Sequence, residues 1–198
     1  MRQFRLSLLF ILLVTGFSHG RYFNTVVIDP GHGGRDGGAY WGGVKESDLN
    51  LVVAHKLAYE LKARGIKTVM TRHKDVNVSK DYRARISNKY RNAIFVSIHF
   101  NASTNTTVKG VETYYISSEG RKMADQVQKR LYKSLKCKNR GVKVKGLHVL
   151  KATNAPAILV ECGFISNPSE RMRCSTVWYK TTAARVIADG LMAYRKMK

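Results

Sequence analysis

The sequence is short of acidic residues. It contains 13 aspartates and glutamates against 35 lysines and arginines, which gives a formal net charge of +22 over 198 residues. A charge of this size predicts attraction to polyanions, whether nucleic acid, anionic lipid or acidic cell-envelope polymers. The basic residues are scattered along the chain, so the sequence has no dedicated nucleic-acid motif and favours a generally basic surface.

Cysteine is also scarce. The spacings of Cys137, Cys162 and Cys174 match neither a zinc knuckle nor a CxxC redox pair, and the sequence leaves their pairing open. The position of Cys162 directly after Glu161 raises the alternative of a cysteine hydrolase. Successive residues of a strand point to opposite faces, so Cys162 is expected to face the core if Glu161 faces a site.

The sequence has no apolar run that would span a bilayer comfortably. The run at residues 6–14 (LSLLFILLV) follows a basic start and precedes a small-x-small site at residues 18–20. This order is typical of a secretory signal peptide, with an uncleaved anchor as the alternative. We therefore predict a signal peptide at residues 1–20 and an exported domain at 21–198. The expected location is the periplasm or cell envelope of a bacterium, without a stable membrane anchor after cleavage.

Short apolar segments alternate with segments of helical period. Strands are predicted at Val26–Asp29, Ile66–Thr71, Ile94–Ile98, Gly110–Ile116, Leu147–Leu150 and Ala157–Glu161. Helices are predicted at Ser47–Arg64, at Gly120–Leu135 and at Lys180–Arg195. A further helix is predicted to begin after Ser79, which caps it, and to carry an apolar ridge of Tyr82, Ile86 and Tyr90. This alternation predicts a single α/β domain with a mostly parallel central sheet and helices on both faces.

A glycine-dense turn, VVIDPGHGGRDGGA at residues 26–39, follows the first predicted strand. Such turns bring the backbone close to a phosphate, a metal or another element of the fold. The segment lacks the G-x-x-x-x-G-K-[ST] order, and Asp36 occupies the last glycine position of G-x-G-x-x-G. Nucleotide binding is therefore not expected.

Reactive side chains follow several predicted strands, at the edge where open α/β sheets bind ligands. His32 lies in the first turn, His99 follows the IFVSI strand, Glu161 closes the AILVE strand, and Glu46 precedes the first helix. Two imidazoles and one or two carboxylates suit a zinc ion that keeps one position open for water. No local motif such as H-E-x-x-H is present, so each histidine taken alone can also be an ordinary hydrogen-bonded residue.

Six segments carry a resemblance to a known family: VVIDPGHGGRDGGA, GVKESDLNL, LKARGIKTVMTR, AIFVSIHFNAS, GVETYYIS and PAILVECGFISNPSE. Together they resemble the zinc-dependent N-acetylmuramoyl-L-alanine amidases of the type-3 family, which are peptidoglycan hydrolases. The resemblance implies that His32, Glu46 and His99 bind Zn²⁺ and that Glu161 is catalytic. It also implies hydrolysis of the amide bond between the lactyl group of N-acetylmuramic acid and L-alanine of the stem peptide.

Two further residues are candidates for the site. Asp29 precedes the metal turn and is expected either to orient His32 through its second ring nitrogen or to cap the turn. Asn101 follows His99 by two positions and is expected either to bind substrate by hydrogen-bonding the stem peptide or to structure its loop. His148 lies on a predicted strand whose alternation allows it to point either to the rim of the site or to solvent, and it is expected to be structural.

The resemblance also bears on partners. Some relatives carry, after the second histidine, a long insertion whose helix blocks the site until an activator removes it. Here only residues 100–109 separate His99 from the next predicted strand, so no activator protein is expected. The basic surface is expected to hold the enzyme on peptidoglycan and its anionic polymers. The alternatives are a secreted polyanion-binding protein with a non-catalytic amidase-like fold, and a zinc peptidase that acts on stem peptides.

Overall fold

The computed structural model of the protein describes residues 22–197. The predicted signal peptide at residues 1–20 lies outside the described residues. Within the part that is described, none of the helices combines the length and the apolar character that crossing a bilayer requires.

Eight strands and six helices make up the described chain. The strands are β1 (Thr25–Pro30), β2 (Tyr40–Trp41), β3 (Val44–Lys45), β4 (Lys67–Met70), β5 (Ala93–Asn101), β6 (Val111–Tyr115), β7 (Asn139–Val144) and β8 (Ala157–Phe164). The helices are α1 (Glu46–Lys62), α2 (Lys80–Asn88), α3 (Ser118–Leu135), α4 (His148–Lys151), α5 (Pro168–Ser175) and α6 (Val177–Arg195).

Six of the strands form one sheet in the order β4-β1-β5-β8-β6-β7. The first four of that order are parallel to one another, β6 runs antiparallel to β8, and β7 runs parallel to β6. The predicted α/β domain with a mostly parallel sheet is confirmed. Because β6 is reversed, its first residues lie at the same edge of the sheet as the carboxyl end of β8.

The sheet separates two apolar clusters of unequal size. Alternate strand residues such as Val96, Ile98 and Val160 face the larger cluster, which α1, α3 and α6 complete. The residues between them, such as Phe95 and Leu159, face a smaller cluster that α4 and the partly buried Ile86 of α2 cover. His99 and Glu161 therefore point to the face with the thinner helical cover.

Three local predictions differ from the structure. Residues 148–151 form helix α4 rather than a strand, because the adjacent residues Val149 and Leu150 both pack onto the sheet. Strand β7 was not predicted because only two of its six residues, Val142 and Val144, are apolar. Ser79 caps α2 as predicted, by accepting a hydrogen bond from the backbone N–H of Tyr82, but the side chain of Tyr82 is exposed.

Candidate metal and catalytic site

The three predicted metal ligands converge although they come from distant segments. Oε1 of Glu46 lies 3.3 Å from Nε2 of His32 and 2.8 Å from Nδ1 of His99. One donor atom from each residue lies within 4.8 Å of the others. Two imidazole nitrogens and one carboxylate oxygen form a donor set that Zn²⁺ accepts at catalytic sites with an open position. The residues present therefore fit the metal that the sequence predicts.

Secondary structure sets the place of each ligand. His32 lies in the turn after β1, Glu46 is the first residue of α1, and His99 lies near the carboxyl end of β5. His32 has a φ of 60°, a left-handed conformation that is uncommon for residues other than glycine. Such strain persists where surrounding contacts determine the backbone, and it is frequent at functional sites.

Two buried arginines supply those contacts. Arg83 donates hydrogen bonds to the carbonyl oxygens of Pro30, at 2.7 Å, and His32, at 2.8 Å. Arg72 donates to the carbonyl oxygens of Pro30, at 2.9 Å, and Gly31, at 3.0 Å. Charge-assisted hydrogen bonds of this kind are stronger than neutral ones, so the two guanidinium groups stabilise the turn that presents His32.

Glycine is required where the turn approaches the ligands. A Cβ atom on Gly31 would lie 2.2 Å from Cε1 and Nε2 of the His99 ring. A Cβ atom on Gly38, which has a φ of +68°, would lie 2.6 Å from Oε2 of Glu46 and 2.7 Å from Cδ2 of His32. The glycine-dense turn thus brings backbone close to a metal-binding group, which was one of the roles the sequence offered.

Glu46 is held as an anion inside this group. Its burial would raise its pKa, but hydrogen bonds with His32 and His99 lower that pKa well below the ordinary value. The backbone N–H of Ala39 donates to its Oε2 at 3.0 Å. The other carboxylate oxygen, Oε1, faces both imidazole rings, so the three side chains can share one metal ion.

The carboxylate that orients His32 belongs to Asp36, not to Asp29. Oδ1 of Asp36 lies 2.8 Å from Nδ1 of His32, which leaves Nε2 to face Glu46. The carboxylate of Asp29 instead accepts hydrogen bonds from Thr71, at 2.6 Å, and from Arg83, at 2.7 Å. Asp29 points to the thinly covered face of the sheet, where Thr71 and Arg83 bind its carboxylate. A tight turn at residues 33–36 brings Asp36, instead, back to the imidazole of His32.

Glu161 lies beside the ligand group on the same face of the sheet. In the strand register it pairs with His99 of β5 on one side and with Glu112 of β6 on the other. Its Oε2 is buried and has no hydrogen-bond partner among the described residues. Burial, together with the nearby carboxylates of Glu46 and Glu112, raises the pKa of Glu161 well above its ordinary value. Such a carboxyl group is suited to accept and return a proton.

The site opens into a cavity of about 250 Å³ between the sheet edge and the segments around α2 and α4. His32, His99 and Glu161 line it together. His148 also lines the cavity, at the start of α4, and its Nε2 lies 2.5 Å from Oδ1 of Asp81. The sequence did not predict His148 at the site, because its position depends on a short helix that the apolar pattern did not reveal.

Glu112 is a further residue that sequence reasoning did not single out. It is buried and accepts hydrogen bonds from Arg140, at 2.9 Å, and Lys143, at 2.6 Å. Nδ2 of Asn101 donates to it at 3.0 Å, while Oδ1 of Asn101 accepts from the backbone N–H of Ala102. These contacts match the loop-structuring role considered for Asn101, and its hydrogen bond to the stem peptide stays a prediction. An acidic residue within an apolar strand was the available signal for Glu112.

Cys162 faces away from the site. It is fully buried in the larger apolar cluster, as the alternation along β8 predicts. Burial raises the pKa of its thiol well above the ordinary value. A buried neutral thiol on the opposite face does not support the cysteine-hydrolase alternative.

The sequence model of the N-acetylmuramoyl-L-alanine amidase family matches residues 26–193. The chain is 35% identical over 174 residues to the N-acetylmuramoyl-L-alanine amidase LytC of Bacillus subtilis, which covers 86% of this chain. The match spans 35% of the length of LytC, so the chain corresponds to about a third of that longer protein.

Two solved structures resemble the whole described domain. The N-acetylmuramoyl-L-alanine amidase from Clostridium difficile 630 superposes with a TM-score of 0.85 and 38% identity, over 89% of this chain and 99% of that one. The CwlD amidase of Clostridioides difficile, solved in complex with the GerS lipoprotein, superposes with a TM-score of 0.82 and 29% identity. That match covers 86% of this chain and 98% of CwlD.

Proposed function

Because the chain belongs to the N-acetylmuramoyl-L-alanine amidase family, we propose that it hydrolyses the amide bond between N-acetylmuramic acid and L-alanine in peptidoglycan. One observation carries the proposal beyond family membership. His32, Glu46 and His99 converge, and His32 and His99 line one cavity together with Glu161. That arrangement combines a metal donor set with a separate acid and base.

His32, Glu46 and His99 would hold a zinc ion. When bound, zinc supplies Lewis-acid polarisation of a carbonyl and lowers the pKa of water to about 7. Asp36 fixes the orientation of the His32 ring through Nδ1, which leaves the other nitrogen for the metal. The two buried arginines hold the turn in place, so the ligands need little rearrangement to bind the metal.

Glu161 would move the proton. Its carboxylate takes a proton from the attacking water, and it then delivers that proton to the departing amine of L-alanine. The hydrolysis leaves a lactyl carboxylate on the sugar and a free amino group on the stem peptide. Among the described residues, Oε2 of Glu161 has no hydrogen-bond partner. This supports the role, because an oxygen that already accepts a hydrogen bond is less able to take a proton from water.

Digestion of purified sacculi, with and without a chelator, tests the proposal. We expect release of stem peptides with a new L-alanine amino terminus, loss of that activity with chelator, and recovery on addition of Zn²⁺. Mass spectra that show cleavage inside the stem peptide would identify a zinc peptidase instead. A protein that binds sacculi without releasing any product would support the non-catalytic polyanion-binding alternative.

Export and electrostatic retention are part of the proposal. Residues 1–20 would direct the chain out of the cytosol, and sequencing the amino terminus of the exported protein, expected at Arg21, tests this. The surface charge would then hold the enzyme on anionic envelope polymers. Raising the salt concentration from 0.1 to 1 M screens such contacts, so binding that is unchanged by salt would contradict it.

The enzyme is further proposed to act without an activator. The connection from β5 to β6, residues 102–110, contains no helix. A purified preparation should therefore digest sacculi unaided. The CwlD relative forms a complex with a lipoprotein, so an inactive preparation that becomes active on addition of a partner is the outcome that would contradict this proposal.

A further inference from the structure

The cavity beside Glu161 is lined by more charged groups than the proposed reaction uses. Apart from the candidate ligands His32 and His99, its acidic side chains are Asp29, Asp36 and Glu161, and its basic side chains are Lys80, Arg83, Lys145 and His148. Four of these groups take part in three pairs: Asp29 with Arg83, Asp36 with His32, and His148 with Asp81. Glu161 and the two lysines remain.

Neither Lys80 nor Lys145 lies within ion-pairing distance of a carboxylate in the part of the chain that the structure describes. Lys80 is the first residue of α2, and Lys145 directly follows β7. Among the described residues, the cavity therefore contains two lysine charges that form no ion pair. An unpaired cation on the wall of a substrate cavity is suited to bind an anionic group of the substrate.

Lys145 is the better placed of the two. Its backbone N–H donates to the carbonyl oxygen of Tyr115 at 3.2 Å, which fixes the residue at the end of β7. Its Nζ lies 4.5 Å from the centroid of the Tyr114 ring. A cation over an aromatic face keeps its N–H groups free to donate elsewhere. The Tyr114 ring thus restrains the ammonium group of Lys145, which lines the same cavity as Glu161.

We infer that Lys145 binds a carboxylate of the stem peptide, on the residue that follows L-alanine, and so makes the enzyme prefer acidic stem peptides over those amidated at that residue. The inference rests on the proposed function, because it places L-alanine next to Glu161. In the stem peptide, L-alanine is the one residue between the scissile amide and the residue whose side-chain or main-chain carboxyl group Lys145 would bind. A cation near the catalytic glutamate is within reach of such a group.

Lys145 could instead act only through Glu161, since its charge opposes the rise in the pKa of that carboxyl group. The two roles affect different kinetic constants. Loss of a substrate contact raises KM for the acidic substrate alone. Loss of an effect on Glu161 changes kcat, and its pH profile, for every substrate.

The test uses two soluble muropeptides that differ only in a carboxylate or a carboxamide on the residue after L-alanine. We expect the wild-type enzyme to favour the acidic muropeptide about tenfold in kcat/KM, the order of one charge-assisted hydrogen bond. Lys145→Met should remove this preference through KM, whereas any change in kcat, caused by the lost charge near Glu161, should be the same for the two muropeptides. Lys145→Arg should retain the preference. Lys129→Met, at an exposed position on α3, is the matched control and should behave as wild type.

Binding measured in the Glu161→Gln background separates this inference from the proposed function. Calorimetry should show the acidic muropeptide bound about tenfold more tightly than its amide, and Lys145→Met should abolish the difference. If the wild type cleaves no amide bond but the two muropeptides still differ in affinity, the proposed activity is wrong and the inferred role of Lys145 stands. Equal affinity for the two muropeptides, or a Lys145→Met effect confined to kcat and its pH profile, would overturn the inference.

Discussion

The two faces of the central sheet differ in how much helix covers them. On one face lie α1, α3 and α6, with 17, 18 and 19 residues. On the other lie α2 and α4, with nine and four residues. The short helices leave the carboxyl ends of β5 and β8 accessible, and His99 and Glu161 lie there. Extensive packing on one face supports a rigid sheet, while the incomplete cover on the other provides the cavity.

Because side chains alternate along a strand, neighbouring residues belong to opposite faces. Glu161 lines the cavity, whereas Cys162 is fully buried among the long helices. The comparison therefore predicts that a substitution at Glu161 affects catalysis, whereas one at the adjacent Cys162 affects stability.

The largest effect is expected at Glu161. Glu161→Gln should lower kcat by about 10²- to 10⁴-fold, because general acid and base catalysis is lost. Zinc content and melting temperature should stay near those of the wild type. Its matched partner is Cys162→Ser, which should retain kcat but lower stability by about 1–3 kcal/mol by burying a hydroxyl group. Loss of zinc from Glu161→Gln would show that this residue is a ligand rather than the acid and base.

Large-to-small substitutions compare the packing of the two faces directly. Leu131, on α3, is fully buried, and Leu131→Ala should lower the free energy of unfolding by about 2–5 kcal/mol. Leu159 on β8 borders the cavity, so Leu159→Ala enlarges an existing space and should cost at or below the lower end of that range. Chemical denaturation measures both. An equal or larger cost for Leu159→Ala would mean that the thinly covered face is packed as well as the other.

A moderate effect is expected at Asp36. Asp36→Asn removes the charge that orients His32 and should weaken zinc binding by about 10- to 100-fold, as loss of a carboxylate partner does at other zinc sites. Competition with a fluorescent chelator measures it. Asp125→Asn, at an exposed position on α3, is the control. Unchanged zinc affinity in Asp36→Asn would indicate that the two arginines alone position the turn.

The smallest effect concerns pH. Burial would raise the pKa of Glu112, but hydrogen bonds from Lys143, Tyr114 and Arg140 lower it below its ordinary value of 4.5. A carboxylate with a lowered folded-state pKa stabilises the protein above pH 4.5, and this stabilisation is lost as pH falls below 4.5. Because both cations are partly exposed to solvent, we expect a contribution of about 1 kcal/mol.

Urea denaturation between pH 3 and 7 checks this expectation. Glu112→Gln should show a shallower loss of stability below pH 4.5 than the wild type, with Asp125→Asn, at an exposed position on α3, as a control. Parallel pH profiles for Glu112→Gln and the wild type would contradict it.

The central strands and the convergence of the candidate metal ligands were predictable from the sequence. Strands β1, β5 and β8 are buried on both faces and therefore appear as continuous apolar runs. The carboxyl ends of parallel strands meet at one edge, so reactive residues that follow those runs are expected to converge. The resemblance to a known family then favoured metal ligands over ordinary histidines, and that assignment stays a prediction.

The supporting contacts were less predictable, because they depend on tertiary structure. The role of Asp36 requires the turn at residues 33–36, for which the flanking glycines were a local signal. Glu112 reaches Glu161 only because β6 is antiparallel to β8, and the sequence pattern favoured parallel strands. His148 enters the cavity through a four-residue helix, too short to show helical periodicity.

The position of β8 has a consequence for the biosynthesis of the enzyme. It is the last strand in the sequence, yet it lies between β5 and β6 in the sheet. A nascent chain that ends before β8 contains the three candidate metal ligands but lacks both Glu161 and the strand that joins the two halves of the sheet. Assembly of the sheet, and of the cavity beside it, therefore waits for the synthesis of β8.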